Sequence, residues 1–96
     1  MVGDIATTPE GLALTVRVQS PLGIHARPAA RLAQEAQNFS ADIRLRTGTA
    51  EADARSMLDI LSLAAAGDAE ITLCASGDDA REALIRLGNL IAGIED

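Results

Sequence analysis

The chain carries one histidine, His25, in the stretch Gly23-Ile24-His25-Ala26-Arg27-Pro28. Gly23 permits a tight turn, and His25 falls where a helix would begin, as its N-cap residue. Ala26, Arg27 and Pro28 then form the first turn. Proline is tolerated there because those amides have no intrahelical acceptor. The free backbone amides of Ala26 and Arg27 create an anion site at the helix end. The Arg27 guanidinium adds a full charge and a planar donor fork suited to phosphate oxygens.

Several chemistries drop out at once. A serine–histidine triad lacks its serine in this motif. One histidine and one cysteine, Cys74, do not make a metal cluster or an internal disulfide. No second titratable group accompanies the imidazole as an acid–base partner, which disfavours a free-standing hydrolase. On the residues alone two readings stay open: a nucleophile that itself carries a phosphoryl group, and a plain helix cap.

Composition narrows the setting. Ninety-six residues suffice for one domain, and 48% hydrophobic with 23% charged is ordinary for a globular one. A formal net charge of −6 argues against general nucleic-acid binding, and Phe39 is the single aromatic, so stacking platforms for bases or sugars are excluded. All eight basic residues are arginine. No apolar run approaches a membrane span, and the N-terminus has neither a basic leader nor an apolar core, so a cytoplasmic location is expected.

The elements that would position His25 follow from hydrophobic periodicity. Residues 1–11 are polar, with Pro9 and Gly11, and are expected to be a flexible arm ahead of one domain over residues 12–96. Leu12, Leu14, Val16 and Val18 alternate with Ala13, Thr15, Arg17 and Gln19, which predicts a half-buried strand ended by Ser20, Pro21 and Gly23. A helix from about His25 uses Ala29, Leu32, Ala33 and Ala36. Ala41, Ile43 and Leu45 mark a second strand, and Thr47-Gly48-Thr49 turns into a third through Ala50, Ala52 and Ala54. Ser56, with Asp59 three residues on, has capping-box spacing for a helix reaching to Gly67. Glu70 to Ser76 alternates again, and a last helix follows Gly77-Asp78-Asp79. The order β-α-β-β-α-β-α predicts an α+β fold in which helices cover one face of an antiparallel sheet.

The stretch "GIHARPAARL", the helix start "ARSMLDILSL" and this element order strongly resemble HPr. That family is the histidine-containing phosphocarrier of the bacterial phosphoenolpyruvate-dependent phosphotransferase system. The resemblance spans about Leu12 to Gly93. It implies an open-faced β-sandwich with one four-stranded sheet, order 1-4-2-3, covered by three helices. It implies that enzyme I, charged from phosphoenolpyruvate, phosphorylates His25 on Nδ1. Arg27 matches the arginine that stabilises and helps to transfer the phosphoryl group. A IIA domain would then receive it, for sugar uptake or for nitrogen or carbon regulation. Such a carrier is a phosphoryl-transfer intermediate rather than an enzyme with its own turnover. It needs no metal or organic cofactor and is expected to be monomeric. "GTAEADARS" and the acidic "IED" ending are also similar to the nitrogen-related branch, NPr, and HPr domains occur inside multidomain proteins.

The second helix is apolar on more than one side. If Ile60, Leu63 and Ala64 face the sheet, Met57, Leu58 and Leu61 point elsewhere, as a partner-docking patch would. Met57 and Leu58 match family positions that contact enzyme I and IIA proteins. The expected docking surface is Ala26, Arg27 and Ala30 with Met57, Leu58 and Leu61. Ser56 matches the serine that an HPr kinase/phosphorylase modifies in many Firmicutes, but it is also a good N-cap, the reading preferred here. Gln34, Gln37 and Asp59 stand where family members often carry lysine. Arg31 and Arg55 partly replace that charge.

Overall fold

The computed structural model describes residues 4–63 and 69–94. Five strands and three helices follow one another: β1 Ala6–Thr8, β2 Gly11–Arg17, α1 Ala26–Ala36, β3 Asp42–Thr47, β4 Ala50–Asp53, α2 Met57–Ser62, β5 Glu70–Ser76 and α3 Ala80–Ala92. The strands make one open antiparallel sheet in the order β1-β2-β5-β3-β4. Without β1, that order is the expected 1-4-2-3.

The expected strand count of four is therefore corrected to five. Ala6, Thr7 and Thr8 pair with Ala13, Leu12 and Gly11 along the outer edge of β2. The reversal falls at Pro9-Glu10, and the Thr8 hydroxyl donates to the Gly11 carbonyl at 3.1 Å. A three-residue polar edge strand has no buried face, so it leaves no alternation to detect. Gly11 is required at this junction: its φ is +143°, and a Cβ there would lie 2.4 Å from the Ala75 carbonyl oxygen.

Alternation along the strands sorts the two sheet faces. Leu14 opposes Leu73, Val16 opposes Ile71, Ile43 opposes Ala75, and Leu45 sits between Leu73 and Ala52. All these side chains are buried under the helices. The alternate positions, including Thr15, Arg17, Arg44, Arg46, Glu51 and Cys74, lie on the open face. α3 lies over β2 and β5 and sends Ala83, Leu84, Leu87 and Ile91 into the core. α1 packs beside both α2 and α3 and contributes Ala29, Leu32, Ala33 and Ala36. The small alanines let α1 approach closely, while leucine and isoleucine supply most of the buried apolar area.

Asp79, the N-cap residue of α3, ties that helix to the start of β3. Its carboxylate accepts hydrogen bonds from the Ser40 and Ala41 amides, both at 2.9 Å. The Ser40 amide bond leads the effects that hold its pKa below the ordinary carboxylate value. Ala64, Ala65 and Gly67, expected in the second helix, lie outside the described residues.

Candidate functional site

The loop before α1 explains where the imidazole stands. Ser20 is buried, its carbonyl accepts from the Gly23 amide at 3.0 Å, and its hydroxyl accepts from the Leu22 amide at 3.2 Å. Gly23 closes this turn at φ +69°, a conformation that glycine adopts without strain. Ile24 then plugs into the core, which fixes the chain direction and delivers His25 to the head of α1.

His25 is the N-cap residue by backbone conformation, and its carbonyl accepts from the Ala29 amide at 3.0 Å. Its side chain makes no capping bond. Of the two readings left open by the residues, the cap therefore loses its physical basis. The imidazole Nε2 is buried without a hydrogen-bond partner. The Ala26 and Arg27 amides, in the first turn, precede the first intrahelical bond.

Beside the imidazole is a cleft of about 240 Å³. Arg27, Pro28, Arg31 and Leu32 of α1 form one side. Leu90 from α3, with Gly93 and Ile94 beyond it, forms the other. Among the described residues no carboxylate lines this cleft. Arg27 and Arg31 are both exposed and have no hydrogen bond or ion pair among the described residues. The other arginines behave differently. Arg17, Arg44, Arg46 and Arg86 hold carboxylates, and Arg55 donates to the Phe39 carbonyl. Arg81 is the remaining exception. An anionic chain thus keeps two uncompensated guanidiniums at the mouth of its histidine cleft.

The second helix begins where its spacing predicts. The Ser56 hydroxyl accepts from the Asp59 amide at 3.2 Å, which caps α2. The reciprocal half of a capping box does not form. The Asp59 side chain is too short to turn back, and its carboxylate takes the Asp53 amide at 3.4 Å. Ile60 and Leu63 are buried, whereas Leu58 is 75% exposed. Met57 and Leu61 are intermediate, packed against the edge of the core. Ala26 and Arg27 are exposed and Ala30 is half-buried. Since α1 packs beside α2, the six expected docking residues lie on adjacent helices.

Sequence reasoning missed two features. Leu22, 63% exposed in the loop before His25, is a large apolar side chain facing solvent. Arg31 lines the histidine cleft one helical turn after Arg27, a placement signalled by the i, i+4 spacing. Among the described residues, no group of three His, Cys, Asp or Glu side chains could hold a metal, and no helix is long and apolar enough to cross a membrane.

The family model for the PTS HPr component phosphorylation site matches residues 13–93. The chain belongs to the HPr family. It is 40% identical over 72 residues to the HPr-like protein Crh of Bacillus subtilis, covering 75% of this chain and 85% of that protein. It is 45% identical over 67 residues to a multiphosphoryl transfer protein of Xanthomonas campestris, covering 70% of this chain but 8% of that larger protein. Among solved structures, HPr-C-His from Thermoanaerobacter tengcongensis superposes with a TM-score of 0.80 at 34% identity, covering 88% of this chain and 98% of that one. Membership in HPr agrees with the open sheet, the three helices and the histidine at the head of α1.

Proposed function

We propose that this HPr protein is a phosphocarrier: His25 takes a phosphoryl group from enzyme I on Nδ1 and passes it to a IIA domain in the cytoplasm. The observation that carries this reading is the state of the imidazole. Nε2 is enclosed without a partner, and Arg27 lines the same cleft as the ring with no ion pair among the described residues. In the transfer, the Nδ1 lone pair attacks phosphorus while the bond to the donor nitrogen breaks and its electron pair returns to the donor ring. The ring keeps its proton on Nε2, so no external base is needed. Arg27 and the helix-end amides hold the three phosphoryl oxygens through the transition state.

A carrier must also release its cargo. One guanidinium and two amides hold a phosphoryl group without the tight cage that a divalent metal would supply, which suits a site that gives and takes. Docking falls to Ala26, Arg27, Ala30, Met57, Leu58 and Leu61, with Leu58 the exposed apolar anchor. The chain works as a monomer in this reading. Ser56 serves as the α2 cap, and a kinase/phosphorylase acting on it would place a dianion beside Leu58.

The test is intact-mass measurement after incubation with phosphoenolpyruvate, Mg²⁺ and the enzyme I of the same cell. Uptake of one acid-labile phosphoryl group, lost in His25→Ala, supports the carrier. No uptake from any enzyme I of the host would overturn it.

A further inference from the structure

We infer that Arg31 is a second cation of the phosphoryl site, a positioning residue that draws the incoming anion to His25 before Arg27 engages it. The inference rests on the carrier reading and extends it to a residue outside the GIHARP stretch.

Arg31 lies one turn beyond Arg27 on α1, so both guanidiniums rise on one face of that helix and line the same cleft as the imidazole. Neither is neutralised. Four other arginines, Arg17 among them, hold carboxylates even at the surface: Arg46 to Glu51 at 2.8 Å, Arg86 to Glu35 at 2.6 Å, Arg44 to Asp42 at 3.0 Å. With 14 acidic side chains in 96 residues, a pair of open cations is an exception that the sequence could readily have cancelled. The cleft wall opposite them is apolar, formed by Leu90 and Ile94 from the last helix and its end. An apolar wall lowers the local dielectric, so the field of both guanidiniums reaches further than over open solvent.

The consequence is electrostatic attraction, with no change in the bonds made or broken. A negatively charged phosphoryl donor approaching a chain of net charge −6 meets two unpaired cations here. Arg31 therefore acts on the rate of capture, and its contribution fades as salt screens it.

The test uses phosphoramidate, a small anionic donor that needs no enzyme I. Nδ1 attacks its phosphorus, and the P–N electron pair leaves with ammonia. Phosphorylation of the full chain is followed by intact mass at low ionic strength, with His25→Ala as the blank. Arg31→Gln is expected to react about threefold or more slowly than wild type, Arg31→Lys to recover most of the rate, and the difference to shrink in high salt. Thermal unfolding of both variants shows whether the helix is intact.

Equal rates for Arg31→Gln and wild type at low salt overturn the proposal, as does a slow variant that lysine fails to rescue or salt fails to equalise. Absence of any wild-type reaction overturns it together with the nucleophilic histidine. Reaction with phosphoramidate but not with enzyme I removes the partner assignment and leaves Arg31 standing.

Discussion

Two of the molecule's arginine-bearing hollows differ in the way that matters. The larger, about 520 Å³, lies on the open face of the sheet, with Arg44, Arg46, Glu10, Asp42 and Glu51 around Cys74. The smaller, less than half that volume, lies beside His25 with Arg27 and Arg31. In the sheet groove every cation is spoken for: Arg46 bonds Glu51 and reaches Glu10 at 3.6 Å, and Arg44 bonds Asp42. In the histidine cleft neither is. Size alone would choose the wrong hollow. Uncancelled charge next to a histidine chooses the cleft proposed here, because a site made for an anion must hold part of its positive field in reserve.

His25→Ala is the strongest way to test that contrast. It should abolish phosphoryl uptake from enzyme I entirely, measured by mass, while Cys74→Ala in the other hollow leaves uptake at the wild-type level. Arg27→Ala should fold normally and slow transfer by about 100-fold in rapid-quench kinetics, as loss of one oriented transition-state donor does elsewhere. Unchanged kinetics would remove Arg27 from the site. Leu58→Glu should weaken enzyme I binding by about tenfold or more in calorimetry. Its unfolding free energy should stay within about 0.5 kcal/mol of wild type, since the side chain is exposed. The neighbouring Ile60→Ala should instead cost about 2–5 kcal/mol in denaturant melts, because Ile60 is buried. Arg46→Ala, in the paired groove, should leave transfer unchanged and move the denaturant midpoint little, because exposed ion pairs contribute little to stability.

The smallest effect concerns pH. Folding lowers the Asp79 pKa below its ordinary 3.8, so the unfolded chain binds that proton first on acidification. The stabilisation from the Ser40 and Ala41 amides is complete above that ordinary value and drains away as pH falls from it through the folded value. Asp79→Asn should flatten this part of the acid limb in chemical unfolding followed by circular dichroism. The His25 cleft, with no carboxylate among its described lining residues, should be indifferent to that substitution.

Much of this architecture was legible because burial writes itself into spacing. Leu14, Val16, Ile43, Leu45, Ile71 and Leu73 alternate because one sheet face is dry. Ala83, Leu84, Leu87 and Ile91 recur at helical intervals because one helix face is dry. The GIHARP stretch was readable for a different reason: turn, cap and anion site are local and need no distant partner. What stayed hidden depends on contacts between remote segments. β1 is short, with no fully buried residue, and runs along the edge paired with β2. Arg31 resembles Arg44 or Arg86 in sequence, and only the fold shows that those two hold carboxylates while Arg31 makes no ion pair among the described residues. The apolar wall of Leu90 and Ile94 is likewise 60 or so positions from the histidine it faces.

The burial of Nε2 has a consequence in synthetic terms. A free imidazole offers an electrophile two nitrogens and yields two regioisomers. Here the fold does to one nitrogen what a protecting group does on the bench, enclosing Nε2. Phosphoryl transfer to this chain should therefore be regiospecific even with a small chemical donor that no partner orients. The phosphohistidine recovered after proteolysis should be the Nδ1 isomer alone. Once the chain is unfolded the mask is gone, and the same reagent should give a mixture.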